Sequence, residues 1–301
     1  MPAQVRLVAV ADTSDKELAK HVGDADVLVV GRRSVDDRLL DMAPNVRYIQ
    51  KSNAGYDNVD VGALKRRGII MANNAGANAP PVAEHTLMLM LTLLKRLMPA
   101  VEETRTGRWP RGEFSGNGDL DSANVGIIGF GSIGQAVAAR LHGFGAITRY
   151  YSRHRAAAER EEQLHVSYAP LPELLSASNI VTLHASLNAQ SSRMLGETEF
   201  TMMPRGAIVI NTARGGLLDE AALLRALQSG HLGGAGLDVI DQEAPGDNPL
   251  YHLPHVLVTP HSGASSRIAP ARSLQVLIQN LAAYAEGRPL VGIISELRGG
   301  D

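Results

Sequence analysis

The chain contains no cysteine. Disulfides, thiolate nucleophiles and cysteine-ligated metals are therefore excluded, and no metal site is expected. Aromatic residues are scarce, with a single tryptophan, so the segment that spends it, around Trp109, stands out. A strong charge of either sign is also missing. The formal net charge is −2, so no global basic field points to nucleic acid or to a membrane surface, and neither is expected as a partner. Long apolar runs are absent too: the most apolar stretch, residues 86–94, is too short to span a bilayer. The opening residues, MPAQVRLVAVADTSDK, have no basic segment leading into a long apolar core, so no secretory leader is expected and the expected location is cytoplasmic.

What is present reads as an α/β protein of more than one domain, since 301 residues exceed one typical core. The informative stretch is residues 125–155, VGIIGFGSIGQAVAARLHGFGAITRYYSRHR. β-prone residues Val125, Ile127 and Ile128 lead into Gly129, Gly131, Ser132, Ile133 and Gly134. An amphipathic segment and a second β-prone run follow. A G-x-G-x-x-G between a strand and a helix predicts a dinucleotide cradle, with the pyrophosphate on the helix N-terminus.

Before that unit, short apolar runs at 5–10, 26–31, 46–51 and 68–72 alternate with helical patterns at 14–22, 34–42 and 59–67. This alternation predicts a first parallel α/β lobe. Pro80 and Pro81 open one long predicted helix reaching to about residue 107, whose Leu and Met stripe reads as core. Residues 107–121 read as a surface arm carrying Trp109. After the cradle, strands are predicted at 180–184, 206–212, 234–239 and 256–259. Helices are predicted at 171–177, 219–229 and 268–286. The expected architecture is two Rossmann-like or flavodoxin-like lobes with parallel sheets, the cofactor lobe (99–264) inserted into a substrate lobe (1–98 and 265–301).

Several motifs then occur in order: AGYDNVD, VAEHTLMLML, GFGSIG, INTARGGLLDEAALLRAL, GAGLDVIDQEAP and VLVTPHSGASS. Together they resemble the D-isomer-specific 2-hydroxyacid dehydrogenase family, over about residues 46–266. The resemblance implies a catalytic set of Arg214 after Asn-Thr-Ala, Glu243 five residues beyond Asp238, and His261 after Thr-Pro. The chemistry suits them. Reduction of a 2-oxo acid needs a proton for the developing alkoxide, which an imidazolium supplies near neutral pH. A carboxylate such as Glu243 orients the imidazole. A guanidinium such as Arg214 can hold both the substrate carboxylate and its carbonyl oxygen.

The resemblance also implies that His184, Ala185, Thr212, Ala213, Asp238 and Gly263 line the cofactor, with Asp238 at the carboxamide. Substrate binding falls to Asn53, Ala54 and Gly55, with Arg214 and His261; Asn53 stands where the family often has glycine and brings a side-chain amide. A proline usual near Ser186 is missing, and His85, in the long helix, reads as structural. An NAD-binding unit should carry Asp or Glu after its second strand to hold the ribose 2′-hydroxyl. Here that position reads Ser152, Arg153, His154, Arg155, and no acid appears before Glu159. Serine and guanidinium groups suit a 2′-phosphate, so NADP(H) is the expected cofactor, with NAD(H) as the alternative.

The expected activity is NADP(H)-dependent reduction of small 2-oxo acids, such as glyoxylate or hydroxypyruvate, to D-2-hydroxy acids. The alternatives are a phosphite-type dehydrogenase and a nucleotide-sensing, corepressor-like binding protein. Homodimerisation is implied by the resemblance.

Overall fold

The computed structural model describes residues 5–74, 76–244 and 246–297. The ends of the expected substrate lobe, residues 1–4 and 298–301, lie outside the described residues. The chain begins with helix α1 (Asp15–Leu18), strand β1 (Val27–Val30), α2 (Asp37–Met42), β2 (Tyr48–Lys51), α3 (Val61–Arg67) and β3 (Ile70–Ala72). Helices α4 (Ala79–Leu94) and α5 (Leu97–Arg105) precede β4 (Asn124–Ile128), α6 (Ser132–Gly143) and β5 (Ile147–Tyr151). Next come α7 (Ala158–Leu164), β6 (Val166–Tyr168), α8 (Leu171–Ala177), β7 (Ile180–Leu183) and α9 (Glu197–Met202). The run closes with β8 (Ala207–Asn211), α10 (Glu220–Gln228), β9 (Leu232–Leu237), β10 (Val256–Val258) and α11 (Ala269–Ala285). These elements form two units, Met1–Asn78 with Ser266–Asp301, and Ala79–Ser265.

The first unit holds a parallel three-stranded sheet, β1-β2-β3. Asp36 and Asp60 cap α2 and α3 by accepting from Leu39 N at 3.0 Å and Ala63 N at 2.8 Å. Leu39, Leu40, Ile49, Leu64 and Met71 are buried between sheet and helices. Lys51 ends β2 fully buried. Its Nζ donates to Gly31 O and, at 2.9 Å, to Asn58 Oδ1. Burial lowers its pKa, and these acceptors fix both ends of the loop that carries Asn53, Ala54 and Gly55. The strand expected over 5–10 does not form: Leu7 and Val8 are exposed and unpaired in any sheet.

The second unit holds a seven-stranded sheet, β10-β9-β8-β7-β4-β5-β6, parallel throughout. Its order reverses between β4 and β7, the switch point where doubly wound sheets bind ligands at their carboxyl edge. Every residue of β7 and β8 is buried, as expected of central parallel strands covered on both faces.

Two further features differ from the sequence expectation. Helix α4 packs with the second unit, so the boundary falls at residue 78, not at 98. The reason lies in β9: a Cβ at Gly236 would come within 3.0 Å of Leu89 Cβ, and only a glycine there lets α4 rest on the strand. The long helix is also broken in two. Pro99 would clash with the carbonyl of Lys95 in a continuous helix. Arg96 turns left-handed, at φ 48°, and Pro99 falls in the first turn of α5. The freed carbonyls of Leu94 and Lys95 accept from Gly118 N at 3.0 Å and Asn117 Nδ2 at 2.8 Å.

Candidate active site

Because all seven strands run the same way, β4, β5, β7, β8, β9 and β10 end at one edge of the sheet, and the loops there carry the site. β4 runs into Gly129, whose φ of 93° disfavours any other residue. A Cβ at Gly129 would come within 2.5 Å of Ala185 N and His184 C, and one at Gly134 within 2.2 Å of Gly129 O. Gly131 is the N-cap of α6 and supplies no side-chain cap. The first N–H groups of a helix have no intrahelical partner, so those beginning at Ser132 and Ile133 form a cradle for a pyrophosphate. The residues present fit a dinucleotide.

His184 follows β7 and lies against that turn. Its N–H donates to Ile128 O at 2.7 Å, and its Nε2 is 3.0 Å from Thr182 Oγ1. Its Nδ1 is buried with no partner among the described residues. Burial pushes its pKa down to about 3, so the ring is neutral at neutral pH. A buried, unsatisfied ring nitrogen beside the glycine turn is the kind of group that a bound ligand satisfies.

The Ser152–Arg155 turn follows β5. Ser152 Oγ donates to His154 O. Arg155 is held by Glu161 in a bidentate pair, Nε to Oε1 at 2.9 Å and Nη2 to Oε2 at 2.8 Å. Tyr150 OH donates to the same carboxylate at 2.7 Å and accepts from Ala156 N at 2.8 Å. The guanidinium, then the phenol, holds the Glu161 pKa down to about 2. Arg153 and His154 are exposed, and Arg153 makes no ion pair among the described residues.

At the other end of the edge, buried Asn211 shapes the turn after β8. Its Oδ1 accepts from Ala213 N at 3.0 Å, and its Nδ2 donates to Arg214 O at 2.8 Å. Arg214 Nη1 donates to Ala213 O at 2.6 Å. Thr212 Oγ1 lies 3.0 Å from Thr86 Oγ1 of α4. Glu243, on the loop after β9, meets His261, on the loop after β10: Oε2 to Nδ1 is 2.7 Å, with both side chains about half-exposed. The carboxylate accepts the Nδ1 hydrogen, so Nε2 is the ring nitrogen that can give a proton to a substrate. His261 has φ 50°, in the left-handed region.

The structure thus joins Glu243 to His261 and sets Arg214 on the same edge, while Asn53, Ala54 and Gly55 lie in the first unit after β2. It also shows contacts that the sequence did not announce: the Arg155–Glu161 pair, the turn bonds of Asn211, and the meeting of His85, Asp238 and Thr259. Among the described residues, no group of three or more His, Asp or Glu is placed to hold a metal, and no helix is long and apolar enough to cross a membrane.

Comparison with known proteins identifies the class. Residues 87–263 match the family model for the NAD-binding domain of D-isomer specific 2-hydroxyacid dehydrogenases. The chain is 36% identical over 278 residues to the glyoxylate reductase of Thermococcus litoralis, covering 90% of this chain and 83% of that one. The glyoxylate reductase crystal structure from Paecilomyces thermophila superposes with a TM-score of 0.85 at 31% identity, over 94% of this chain and 88% of that one. An acyclic imino acid reductase in complex with NADPH and D-Arg superposes with a TM-score of 0.83 at 28% identity, over 93% and 89%. The chain belongs to the D-isomer-specific 2-hydroxyacid dehydrogenases. It is a nicotinamide-dependent oxidoreductase with two Rossmann-like units.

Proposed function

We propose that this enzyme reduces a small 2-oxo acid of glyoxylate or hydroxypyruvate size to the D-2-hydroxy acid, with NADPH preferred. The observation that carries the reading is the 2.7 Å contact between Glu243 Oε2 and His261 Nδ1. It orients an imidazole whose Nε2 protonates the carbonyl oxygen. Arg214 pairs with the substrate carboxylate and polarises the carbonyl. A dinucleotide held on the Gly129–Gly134 turn would supply the hydride for the carbonyl carbon, and with the proton from His261 the C=O would become a hydroxyl. The preference for NADPH rests on Arg153, exposed on a turn that lacks the acid NAD-type sites use on the ribose. The similarity to two glyoxylate reductases and to an enzyme crystallised with NADPH supports both parts.

The test is the absorbance of NADPH and NADH followed against a panel of 2-oxo acids that includes glyoxylate and hydroxypyruvate. Turnover of glyoxylate or hydroxypyruvate with NADPH is expected. No oxidation with any substrate would overturn the reading, and a clear preference for NADH would overturn the cofactor part alone.

We also propose that the enzyme acts as a homodimer. Between α4, α5 and α6 lies a groove of about 750 Å³ lined by Leu87, Met88, Leu91, Leu97 and Phe144. Met88, Leu97, Met98 and Phe144 are exposed beside it, and Trp109 on the following arm is 83% exposed. Apolar surface of this extent favours a covering partner, here a second copy of the chain. Light scattering on the eluting protein is expected to give twice the chain mass, and a monomer would refute it.

A further inference from the structure

Helix α4 and the end of β10 bring two side chains, His85 and Thr259, to the carboxylate of Asp238 at the end of β9. Asp238 is only 2% exposed, and a buried carboxylate must be well supplied with donors. Thr259 Oγ1 donates to its Oδ1 at 2.5 Å, Ser262 N to Oδ1 at 2.9 Å, and Gly263 N to Oδ2 at 2.7 Å. The backbone carbonyl of Asp238 accepts from His261 N, also at 2.9 Å. One residue therefore holds the loop on both sides of His261 and at His261 itself.

That grip matters because His261 sits at φ 50°. A non-glycine residue in the left-handed region is strained, and persists when its surroundings over-determine it. His85 of α4 completes the surroundings. Its Nε2 lies 2.9 Å from Thr259 Oγ1 and 3.3 Å from Asp238 Oδ1. The single Thr259 hydroxyl proton is committed to Asp238, so toward His85 that oxygen can only accept. Both neighbours of Nε2 are acceptors, and Nε2 must carry the hydrogen.

We propose that His85 is a positioning residue for His261. Its Nε2–H fixes the Thr259 hydroxyl, the hydroxyl and Asp238 fix the loop 259–263, and the loop holds His261 where Nδ1 meets Glu243. A histidine that reads from the sequence as helix filler thereby governs proton delivery from a residue it does not touch. The inference rests on His261 being the proton donor.

The test uses three variants with NADPH and the 2-oxo acid turned over fastest. His85→Leu removes the donor, His85→Gln keeps an N–H at similar reach, and Thr259→Val removes the hydroxyl. A misplacement of the proton donor by a fraction of an ångström should lower kcat about tenfold in His85→Leu, with NADPH affinity by fluorescence titration within about twofold. The solvent deuterium isotope effect on kcat should rise, because proton transfer becomes slower relative to the other steps. His85→Gln should recover most of the rate. The double variant His85→Leu with Thr259→Val should be no slower than the slower single variant, since both break one cluster. A kcat within about twofold of wild type in His85→Leu would overturn the proposal. So would a loss matched by a loss of folded protein at an unchanged isotope effect, or additive effects of the two changes. If His261→Ala keeps full activity, the proton-donor reading itself fails. If His261→Ala is inactive while His85→Leu runs at full rate, only the positioning role fails.

Discussion

His184 and His261 stand at the carboxyl ends of two strands of one parallel sheet, and their surroundings make them chemical opposites. His184 is part-buried beside the glycine turn, keeps its buried Nδ1 without a partner among the described residues, and stays neutral because burial penalises its charged form. His261 is half-exposed, with a carboxylate 2.7 Å from its Nδ1. The same contrast divides the sheet edge. Around β4, β5 and β7, backbone N–H groups and a non-titrating ring suit a bound, unreacting part of a ligand. Around β8 and β10, and on the loop after β9, an arginine, a glutamate and an oriented imidazole suit a reaction. A doubly wound sheet lets one edge do both, because each strand end is an independent place to mount a side chain.

The sharpest way to break this comparison is to remove the His261 ring. His261→Ala should lower kcat about a thousandfold, in the range that a lost general acid costs. NADPH affinity, measured by fluorescence, should barely change. If the cofactor were lost with the ring, the division of the edge would be wrong. Glu243→Gln keeps the shape and removes the charge, and its smaller loss of kcat should also leave cofactor affinity intact.

The second test concerns the neutral ring of His184. In the unfolded chain an imidazole binds a proton near pH 6.5, whereas His184 resists until about pH 3. Between those values the unfolded chain holds more protons, so His184 is harmless above pH 6.5 and destabilises the fold as pH falls through that window. From pH 7 to pH 5 the wild type should lose about 2 kcal/mol more than His184→Gln, by the 1.36 kcal/mol attached to each pKa unit. Urea unfolding at the two pH values measures this. Equal losses would mean that the ring is not shielded.

How much of this was legible in the sequence depends on how local each signal is. The glycine turn was readable because strand, turn and helix are contiguous and each glycine answers a backbone demand. Arg214, Glu243 and His261 were singled out through motifs in a fixed order, and the structure brings the last two into contact. The Arg155–Glu161 pair was not: α7, AEREEQL, has almost no apolar periodicity, and nothing marks one of its three glutamates as the buried one. The His85–Asp238–Thr259 cluster was equally silent, because its members lie on three elements that only the folded sheet brings together. The break at Arg96 was foreseeable from Pro99, but the apolar stripe running through it masked the signal.

The smallest expected effect separates the two arginines of the β5 turn, which the sequence treats alike. Arg155 spends its guanidinium on Glu161, and Tyr150 on the same carboxylate ties the turn to β5. Arg153 is exposed and makes no ion pair among the described residues. A 2′-phosphate would therefore meet Arg153, while Arg155 shapes the turn for either cofactor. Arg153→Ala should raise the KM for NADPH about tenfold, the cost of one charge-assisted contact of roughly 1.4 kcal/mol, and leave the KM for NADH and kcat close to wild type. Arg155→Ala should shift both cofactors by similar, smaller factors. If instead Arg155→Ala weakens NADPH selectively and Arg153→Ala does not, the ion pair with Glu161 must open when the phosphate binds. The cofactor end of the edge would then rearrange on binding, and the contrast between the two ends would not extend beyond the two histidines.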